Sequence, residues 1–380
     1  MKIICAPDSF KESLTAIDAA RAMQSGVADA LPAAAVDLCP IADGGDGTVD
    51  ALLAATDGEP HVTRVSGPLG DPVEARWGLV GTVDGQPRTA VIEMAAASGM
   101  ALIEPSRRDP TRTSSDGTGQ LIVAAMDHGA LRIILGIGGS ATNDGGCGAA
   151  AQLGVRFFDA RGAVMDRPVT GGMLKAIGRI DLSRLDPRIG TTQIVVACDV
   201  SNPMTGPDGA AHVYGPQKGA TPQQVAQLDE GLCHLAQLMR RQLGRDVQTT
   251  PGAGAAGGMG GGMAAMLGSR MEQGIRLILD AVGFDRRVAD CDLCLTGEGR
   301  LDGQSLSGKA CLGVARSAAR HGVKTVALVG SIGRDAERTL EEGIAAYHAI
   351  GTGLSADESI RRAADLLRQT TARVVRSELG

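Results

Sequence analysis

A glycine-rich stretch, GIGGSATNDGGCGAA at residues 136–150, has the composition of a loop that binds an anion. It follows the apolar run LRIIL, which predicts a strand, and it precedes a short predicted helix that ends near Leu153. Its six glycines leave backbone N–H groups accessible, and Ser140 and Thr142 add hydroxyl groups. Such a set of donors can hold phosphate oxygens without a side-chain cation, so the stretch is predicted to be a phosphate loop.

Two other interpretations of this stretch remain open. Gly136, Gly138 and Ala141 satisfy a relaxed dinucleotide-binding pattern, and Asp159, which follows 18 residues later, could bind a ribose hydroxyl. The residues TNDGG separate this pattern from the helix, so a pyrophosphate would not meet the helix N-terminus directly. The glycines could also serve only a tight turn, although such a turn needs fewer than six.

A second polar segment, LTGEGRLDGQSLSGKA at residues 295–310, contains a predicted strand end and a charged loop. A Gly-x4-Gly-Lys pattern that ends at Lys309 matches a Walker A loop, except that Ala310 replaces the hydroxyl residue that would bind Mg²⁺. A carboxylate such as Glu298 could supply that ligand instead. The alternative is a solvated charged loop without a ligand.

Carboxylates and a lysine also follow the first two predicted strands. The segments APDSFKES (residues 6–13) and ADGGDGT (residues 42–48) supply Asp8, Ser9, Lys11, Asp43 and Asp46. Carboxylates beside glycines at strand ends suit a Mg²⁺ site and a general base. Lys11 could pair with an anionic substrate or with a transferring phosphoryl group. Each aspartate could instead form only a turn.

The segment VACDVSNPMTGPDGA, residues 196–210, places Asp199 after a predicted buried strand. Asp199 could act as a base, or it could cap a turn with Asn202. The next segment, GPQKGAT, adds Gln217 and Lys218, to which the pattern assigns no role. The histidines have no motif spacing and there is no Gly-x-Ser-x-Gly elbow, which argues against a hydrolase.

Composition and charge exclude several other classes of protein. With 380 residues, 43% of them hydrophobic, the chain can form two domains with a substantial core. The formal net charge is −6, aromatic residues make up 2%, and there is no basic run, so no nucleic acid partner is expected. No apolar run has membrane-spanning length, and the start MKIICAPDSF does not resemble a signal peptide. We therefore expect a soluble cytoplasmic protein.

Eight cysteines are scattered along the chain and are expected to be reduced thiols. Cys291 and Cys294 form a CxxC pair, but no second pair at similar spacing could complete a zinc site. The pair is therefore predicted to lie in a buried strand.

The order of apolar runs and helical patterns predicts an α/β fold with a doubly wound parallel sheet. Strands alternate with helices at both ends of the chain, and the middle predicts a hairpin between RWGLVGTV and TAVIEMA and further strands at residues 132–137, 155–158 and 193–199. We expect a Rossmann-like domain formed by residues 1–70 and 285–380, a second α/β domain inserted at residues 71–284, and an active cleft between them. The stretch PGAGAAGGMGGGMAAM, residues 251–266, could be a flexible linker or a turn that packs through its backbone.

Six of these segments occur in the order and spacing of one known family. APDSFKESLTA, PIADGGDGT, GIGGSATNDGG, CDVSNPMTGPDGAAHVYGPQKGAT, PGAGAAGG and LTGEGRLDGQSLSGK resemble the motifs of the type-1 glycerate kinases. The resemblance extends from Met1 to about Gly330. Two residues depart from the family pattern: Glu12 stands where a small residue, usually Gly, is expected, and Asp46 stands where Glu is common.

The resemblance implies a two-domain α/β enzyme that phosphorylates D-glycerate with ATP and Mg²⁺, usually to 2-phosphoglycerate. The residues expected to bind the phosphates of ATP are Gly136, Gly138, Gly139, Ser140, Thr142, Asn143, Gly297 and Lys309. Lys11 is the expected cation clamp, Asp43 or Asp199 the general base, and Asp46 or Glu298 the Mg²⁺ ligand. The residues expected to bind glycerate are Asp8, Ser9 and Arg300.

Other functions remain as alternatives at this stage. The same kinase could give 3-phosphoglycerate. An NAD-dependent hydroxy-acid dehydrogenase would rest on the dinucleotide pattern and Asp159, and a non-catalytic nucleotide- or metabolite-sensing protein would use the same loops only for binding. The expected partners are ATP and D-glycerate, without nucleic acid or membrane, and the sequence defines no oligomeric state.

Overall fold

Two β-sheets organise the chain in the computed structural model, which describes residues 1–42, 44–45, 47–83, 85–165, 168–303, 305 and 310–379. The strands are β1 (Lys2–Pro7), β2 (Ala35–Leu38), β3 (Glu59–Ser66), β4 (Pro72–Leu79), β5 (Thr89–Glu93), β6 (Arg132–Gly136), β7 (Arg156–Asp159), β8 (Ile177–Asp181), β9 (Gln193–Ala197), β10 (Arg270–Glu272), β11 (Leu293–Leu301), β12 (Thr325–Ile332) and β13 (Ala346–Ala349).

The helices connect and cover these sheets. The α-helices are α1 (Ala16–Ala30), α2 (Thr48–Thr56), α3 (Ala95–Ser98), α4 (Asp116–Asp127), α5 (Cys147–Gln152), α6 (Ala210–Tyr214), α7 (Pro222–Leu238), α8 (Ala255–Leu267), α9 (Gly274–Ala281), α10 (Phe284–Val288), α11 (Ala310–Arg320), α12 (Ala356–Arg361) and α13 (Ala363–Leu379). Short 3₁₀ turns include Pro216–Lys218, and a π-turn, Met239–Leu243, extends α7. In the described part of the chain, no helix combines the length and the apolar character that a membrane span requires.

The first sheet is parallel and has the strand order β13-β12-β11-β1-β2. It combines strands from both ends of the chain, since β1 lies between β2 and β11. Its short apolar runs are typical of strands that are covered by helices on both faces. The predicted α/β class with a doubly wound parallel sheet is confirmed.

The second sheet is mixed and has the order β10-β9-β6-β5-β4-β3. Strands β5, β6, β9 and β10 are parallel, whereas β3, β4 and β5 form antiparallel pairs. The predicted hairpin between β4 and β5 is confirmed by the pairing of Gly78 with Val91. Of its predicted turn DGQP, Asp84 lies outside the described residues.

One predicted domain boundary does not coincide with the sheets. Residues 59–66 were assigned to the first domain, but they form β3 and pair along their whole length with β4 of the second sheet. The reason is local, because β3 and β4 are adjacent in the chain and form their own antiparallel hairpin. A division between α2 and β3 agrees with the sheet membership, and the two-domain organisation remains our proposal.

Hydrophobic clusters show how the layers pack. Alternate residues of β1 point to opposite faces of the sheet, as the period of a strand requires. Ile3 and Cys5 pack against helices α1 and α13, whereas Ile4 and Ala6 pack against α9, α10 and α11. The second of these clusters also contains Ile134 of β6, so helices between the two sheets contribute to a core that both sheets share. The opposite face of the second sheet is covered by helices that include α4, α5, α7 and α8.

The glycine-rich segment 251–266 is not a flexible linker. Most of it forms α8, whose residues are nearly all buried between other elements. Three consecutive residues, Ala256, Gly257 and Gly258, have left-handed backbone angles at the start of the helix. The interpretation as a turn that packs through its backbone therefore describes the start of this segment, and small side chains let it approach its neighbours closely.

Candidate functional site

A cavity of about 260 Å³ lies at the carboxyl ends of β6 and β9. It brings together predicted site residues from two motifs: Gly138, Gly139 and Ser140 of the glycine-rich stretch, and Asp199 of the segment 196–210. The remaining residues that line it are Gly44, Gly45, Met100, Ile137, Ala197, Cys198, Val200, Tyr214, Gln217, Lys218, Ala255 and Ala256. Gly44 and Gly45 follow the first sheet, so loops of both sheets contribute to this first cavity.

The glycines of the predicted phosphate loop differ in what they do. A Cβ atom on Gly136 would lie 2.7 Å from the carbonyl oxygen of Gly44, so this glycine lets two loops come together. A Cβ atom on Gly138 would have only the Gly45 Cα atom nearby, at 3.7 Å. Gly138 is exposed and lines the cavity. Packing therefore does not require a glycine at position 138, whereas close approach of a ligand to the backbone would.

Lys218 supplies the positive charge that the glycine-rich stretch itself lacks. Its side chain is buried, with 3% of the residue exposed, and its ammonium group donates to Ser140 Oγ at 2.8 Å and to the Thr142 carbonyl oxygen at 2.7 Å. Lys218 has no role that its own motif predicts, because 78 residues separate it from Ser140. The motif GPQKGAT was the available signal. The structure thus adds a buried lysine beside the predicted phosphate loop.

Burial changes the protonation of Lys218. It lowers the pKa of Lys218 to about 7, and the negative charge of Asp144 acts in the opposite direction. Burial also raises the pKa of Asp144, while hydrogen bonds from Ser115, Gly146 and Gly148 partly oppose that shift. An ammonium group that is buried in this way interacts strongly with an anion, because little solvent screens it.

Asp144 fixes the shape of the loop. Its carboxylate accepts hydrogen bonds from the backbone and the hydroxyl of Ser115, at 2.8 and 2.7 Å, and from the N–H groups of Gly146 and Gly148. A carboxylate with this many donors is held in one orientation. The loop after β6 is thereby tied to the start of α4.

Thr142 and Asn143 are completely buried next to these bonds. Within the described part of the chain, Thr142 Oγ1 and both amide atoms of the Asn143 side chain have no hydrogen-bond partner. Buried polar atoms are nearly always paired in folded proteins, so unpaired ones call for a water or a ligand. Both residues were predicted to bind phosphate, and they lie behind Ser140 rather than on the cavity wall.

Asp199 lies on the wall of the first cavity. It is far from the glycine loop in the sequence, but both line the same cavity. Its Oδ1 atom accepts a hydrogen bond of 3.0 Å from the N–H group of Gly274, the first residue of α9. The amino terminus of a helix favours the charged form of a carboxylate. The Asn202 side chain donates to the Asp208 carbonyl oxygen and accepts from the Tyr214 hydroxyl, and the choice between a base and a turn cap with Asn202 for Asp199 stays a prediction.

Asp8, Ser9 and Lys11 lie at a different place, the carboxyl end of β1. They line a second cavity, of about 470 Å³. The backbone N–H group of Asp8 donates to Gly297 of β11 at 2.8 Å, and its carboxylate accepts from the N–H group of Ser9 at 2.6 Å. Lys11 is exposed. The predicted clamp therefore does not share a cavity with Ser140.

One loop separates the first two cavities. Ile41, Ala42 and Gly47 line the second cavity, whereas Gly44 and Gly45 line the first. Both cavities thus lie along the same loop that follows β2, at the carboxyl edges of the two sheets.

Glu298 and Arg300, both on β11, have different surroundings. Glu298 is buried and accepts a hydrogen bond of 2.8 Å from Ser305 Oγ. The charges of Glu298 and Asp8 both help to raise the pKa of the Cys311 thiol, whose main cause is burial, so both carboxylates lie near that thiol. Arg300 is exposed and forms an ion pair of 3.0 Å with Asp302.

Three predicted site residues, Asp43, Asp46 and Lys309, lie outside the described residues. Within the residues that are described, no three His, Cys, Asp or Glu side chains lie close enough together to hold a metal ion. The Mg²⁺ site therefore remains a prediction.

Asp159 does not support a dinucleotide site. It ends β7, which pairs antiparallel with β8 in a separate small sheet rather than beside β6. Its carboxylate accepts hydrogen bonds from the N–H groups of Arg161 and Ala163, and these bonds lower its pKa. Asp159 thus forms a turn, and the fingerprint lacks the adjacent parallel strand that a Rossmann unit requires.

The backbone conformation at position 12 explains why the family pattern has a small residue where this chain has Glu12. Its backbone has a φ of +67°, a left-handed conformation that favours glycine. The small residue that the resemblance predicts at this position, usually Gly, would adopt the turn without strain.

Comparisons with known proteins show the family to which the chain belongs. A model of the glycerate kinase family matches residues 3–378. The chain belongs to the glycerate kinase family. It is 48% identical to a glycerate kinase of Halalkalibacterium halodurans over 98% of this chain and 97% of that protein. It is 45% identical to the glycerate 2-kinase of Escherichia coli K12, over 96% of this chain and 94% of that protein.

A solved structure shares the fold. The crystal structure of a protein from Salmonella typhimurium LT2, assigned as glycerate kinase 2, superimposes with a TM-score of 0.89 at 43% identity and covers 99% of this chain and 98% of that one. With relatives of this similarity over its whole length, the chain is a kinase.

Proposed function

We propose that this kinase transfers the γ-phosphoryl group of ATP to the 2-hydroxyl of D-glycerate and releases 2-phosphoglycerate and ADP. The observation that carries the proposal is the first cavity, where the buried ammonium group of Lys218 lies beside the glycine loop and across from Asp199. The 2-kinase from Escherichia coli supports the choice of hydroxyl.

Phosphoryl transfer depends mainly on positioning and on neutralising charge. In the proposed reaction, the backbone N–H groups of Gly138 and Gly139 and the ammonium group of Lys218 bind the phosphoryl group that is transferred. Asp199 accepts the proton of the glycerate hydroxyl as its oxygen attacks phosphorus, and the bond from phosphorus to the ADP oxygen breaks. Asp43 stays the alternative base. Lys11 binds the remaining phosphates from the neighbouring cavity.

Mg²⁺ would neutralise phosphate charge at the carboxyl edge of the first sheet. Carboxylate oxygens are the protein ligands that Mg²⁺ prefers, and the charges of Glu298 and Asp8 both act on the Cys311 thiol there. Glu298, with Asp46, is proposed to hold the ion. Ser9 lines the second cavity and Arg300 is paired with Asp302, so neither predicted contact of the glycerate carboxylate lies on the first cavity, where this proposal places the acid.

One experiment tests the reaction and its product together. The purified chain is incubated with ATP, Mg²⁺ and D-glycerate, ADP release is followed in a coupled assay, and the product is examined by phosphorus NMR. We expect ADP release that depends on D-glycerate and a phosphomonoester on carbon 2. A phosphomonoester on carbon 3 would contradict the proposed product, and binding of ATP without ADP release would contradict the proposed activity.

A further inference from the structure

The first cavity is too small for all of ATP. Its volume of about 260 Å³ lies below the range of roughly 300–1,000 Å³ that is usual for sites of drug-sized ligands. It suits a three-carbon acid and one phosphoryl group. If ATP delivers its terminal phosphoryl group there, the nucleoside must lie elsewhere.

The topology of the first sheet indicates where. Its strands, numbered along the chain, have the spatial order 2-1-3-4-5, because β11, β12 and β13 lie on one side of β1 and β2 on the other. Open α/β sheets bind ligands outside the carboxyl ends of their strands, next to the point where the strand order reverses. In this sheet that point lies between β1 and β11.

A third cavity, of about 430 Å³, lies beside this point, at the carboxyl ends of β11, β12 and β13 and against the loop that follows β1. Its apolar lining includes Phe10, Ile350, Leu354 and Ile360, and the hydroxyl residues Ser331 and Thr352 lie at its border. Lys11 is the one charged residue among those described on its wall.

The second cavity, by contrast, has more carboxylates than cations on its described wall. Asp8, Glu12, Asp18 and Asp50 line it together with Lys11, and Asp50 also forms an ion pair of 2.8 Å with Arg76. An uncharged purine would bind most favourably in the apolar third cavity, because contact with aliphatic side chains there removes the faces of the ring from water. The acidic second cavity is better suited to a metal ion accompanied by phosphates.

We propose that the third cavity binds the purine nucleoside of the triphosphate, so that the phosphates extend past Lys11 to the glycine loop. This inference rests on the proposed function. The three cavities follow one another in that order: Lys11 and Ser13 line both the third and the second, and residues of the loop after β2 line both the second and the first. In this proposal aliphatic side chains of the third cavity hold the base. Lys11 contacts the phosphates where the third cavity meets the second.

Photolabelling of the wild-type protein with 8-azido-ATP locates the base directly. We expect label that ATP competes away in peptides that contain residues 349–363, which line the third cavity but not the second. Competed label in residues 197–218 or 255–256 would overturn the inference, because those residues surround the first cavity, and so would the absence of competed label. Turnover of D-glycerate is measured on the same sample, so a failed proposed function is recognised separately from a misplaced nucleoside.

Substitution of an exposed wall residue gives a second readout. Ile360 is 37% exposed, so Ile360→Asp should fold, yet it places a negative charge in the third cavity. We expect the Kd for ATP, from calorimetry, and the KM for ATP to rise at least tenfold, with the KM for glycerate unchanged. Ile332→Asp is the matched control, since Ile332 is 47% exposed and does not line this cavity. Equal effects of the two substitutions on ATP binding would contradict the inference.

Discussion

The carboxyl edges of the two sheets differ in how they present a lysine to an anion. At the edge of the second sheet, Lys218 is buried and bonded to Ser140 and to the Thr142 carbonyl group. At the edge of the first sheet, Lys11 is exposed in a loop that contains a strained residue, Glu12. One edge has a lysine amine held in place before any ligand arrives, and the other has a solvated cation.

This difference predicts unequal contributions to catalysis. Charges that are fixed and shielded from water stabilise a transition state more than charges that must first lose their hydration. The first cavity should therefore perform the chemical step, while the residues around Lys11 should mainly contribute to the binding of ATP.

The largest effect is expected at the proposed base. Asp199→Asn removes the proton acceptor but keeps the size of the side chain, so kcat should fall by about 10²- to 10⁴-fold. Asp208→Asn is the control, because Asp208 is an exposed aspartate in the same loop region. A loss below about tenfold in the Asp199 variant would eliminate it as the base and favour Asp43.

The two lysines test the comparison itself. Lys218→Met should lower kcat by about 10²- to 10³-fold, the range for loss of one fixed group that stabilises transition-state charge. Lys11→Met should mainly raise the KM for ATP and lower kcat less. Thermal unfolding of both variants serves as the control for folding. If Lys11→Met lowered kcat more than Lys218→Met, the chemical step would belong to the first sheet.

Substitutions at two glycines of the α8 segment test how closely it packs against the loop that follows β6. Gly257 and Gly268 have nearly equal left-handed φ values, +69° and +70°. A Cβ atom on Gly257 would lie 2.1 Å from the Thr142 carbonyl oxygen, whereas one on Gly268 would contact nothing within 4 Å. Gly268→Ala should cost about 1–2 kcal/mol of unfolding free energy from backbone strain. Gly257→Ala should cost about 2–5 kcal/mol, because overpacking adds to the strain.

Chemical denaturation measures both of these variants. Equal losses of unfolding free energy would show that the left-handed turn of α8 does not support the loop after β6.

The pH dependence of stability should report the burial of Lys218. Its pKa is about 7 in the folded chain and about 10.4 when unfolded. Between these values the unfolded chain binds more protons, so the free energy of unfolding should rise with pH, by about 1–2 kcal/mol from pH 7 to 8.5. Asp144 faces the ammonium group, while Asp199, Cys198 and Tyr214 share the same cavity. Lys218→Met should lack this rise, and an identical rise in that variant would assign it to another group.

The smallest effect is expected at the exposed edge. Glu12→Gly removes the strain of a left-handed φ but makes the unfolded chain more flexible, so it should raise the unfolding free energy by at most about 1 kcal/mol. Glu104→Gly is the control, because exposed Glu104 has a φ of −51° and gains nothing from glycine. A larger loss of stability in Glu12→Gly than in Glu104→Gly would show that the Glu12 turn is not strained.

Local patterns predicted the elements of this fold well. KIICA and LRIIL are apolar runs next to polar loops, and they form β1 and β6. The stretch 251–266 was harder, because its glycines have the composition of a linker while the burial of α8 depends on segments far away in the chain. The predicted domain boundary near residue 70 divides β3 from its partner β4, because the pairing of the two strands is not visible in the local pattern.

The site was only partly predictable for the same reason. The glycine loop and Asp199 could be found from their own motifs, and the structure brings them to one cavity. The role of Lys218 could not, since its bonds to Ser140 and to Thr142 exist only in the folded chain. Arg300 was predicted from charge alone, and it forms an ion pair with Asp302 at the surface.

A crystal structure with D-glycerate and a non-hydrolysable ATP analogue tests the central claim most directly. We predict that the terminal phosphoryl group lies within hydrogen-bond distance of Lys218 Nζ and of the Gly138 and Gly139 N–H groups, with the glycerate hydroxyl facing Asp199. Both ligands bound without any contact to the cavity of Lys218 would contradict the account.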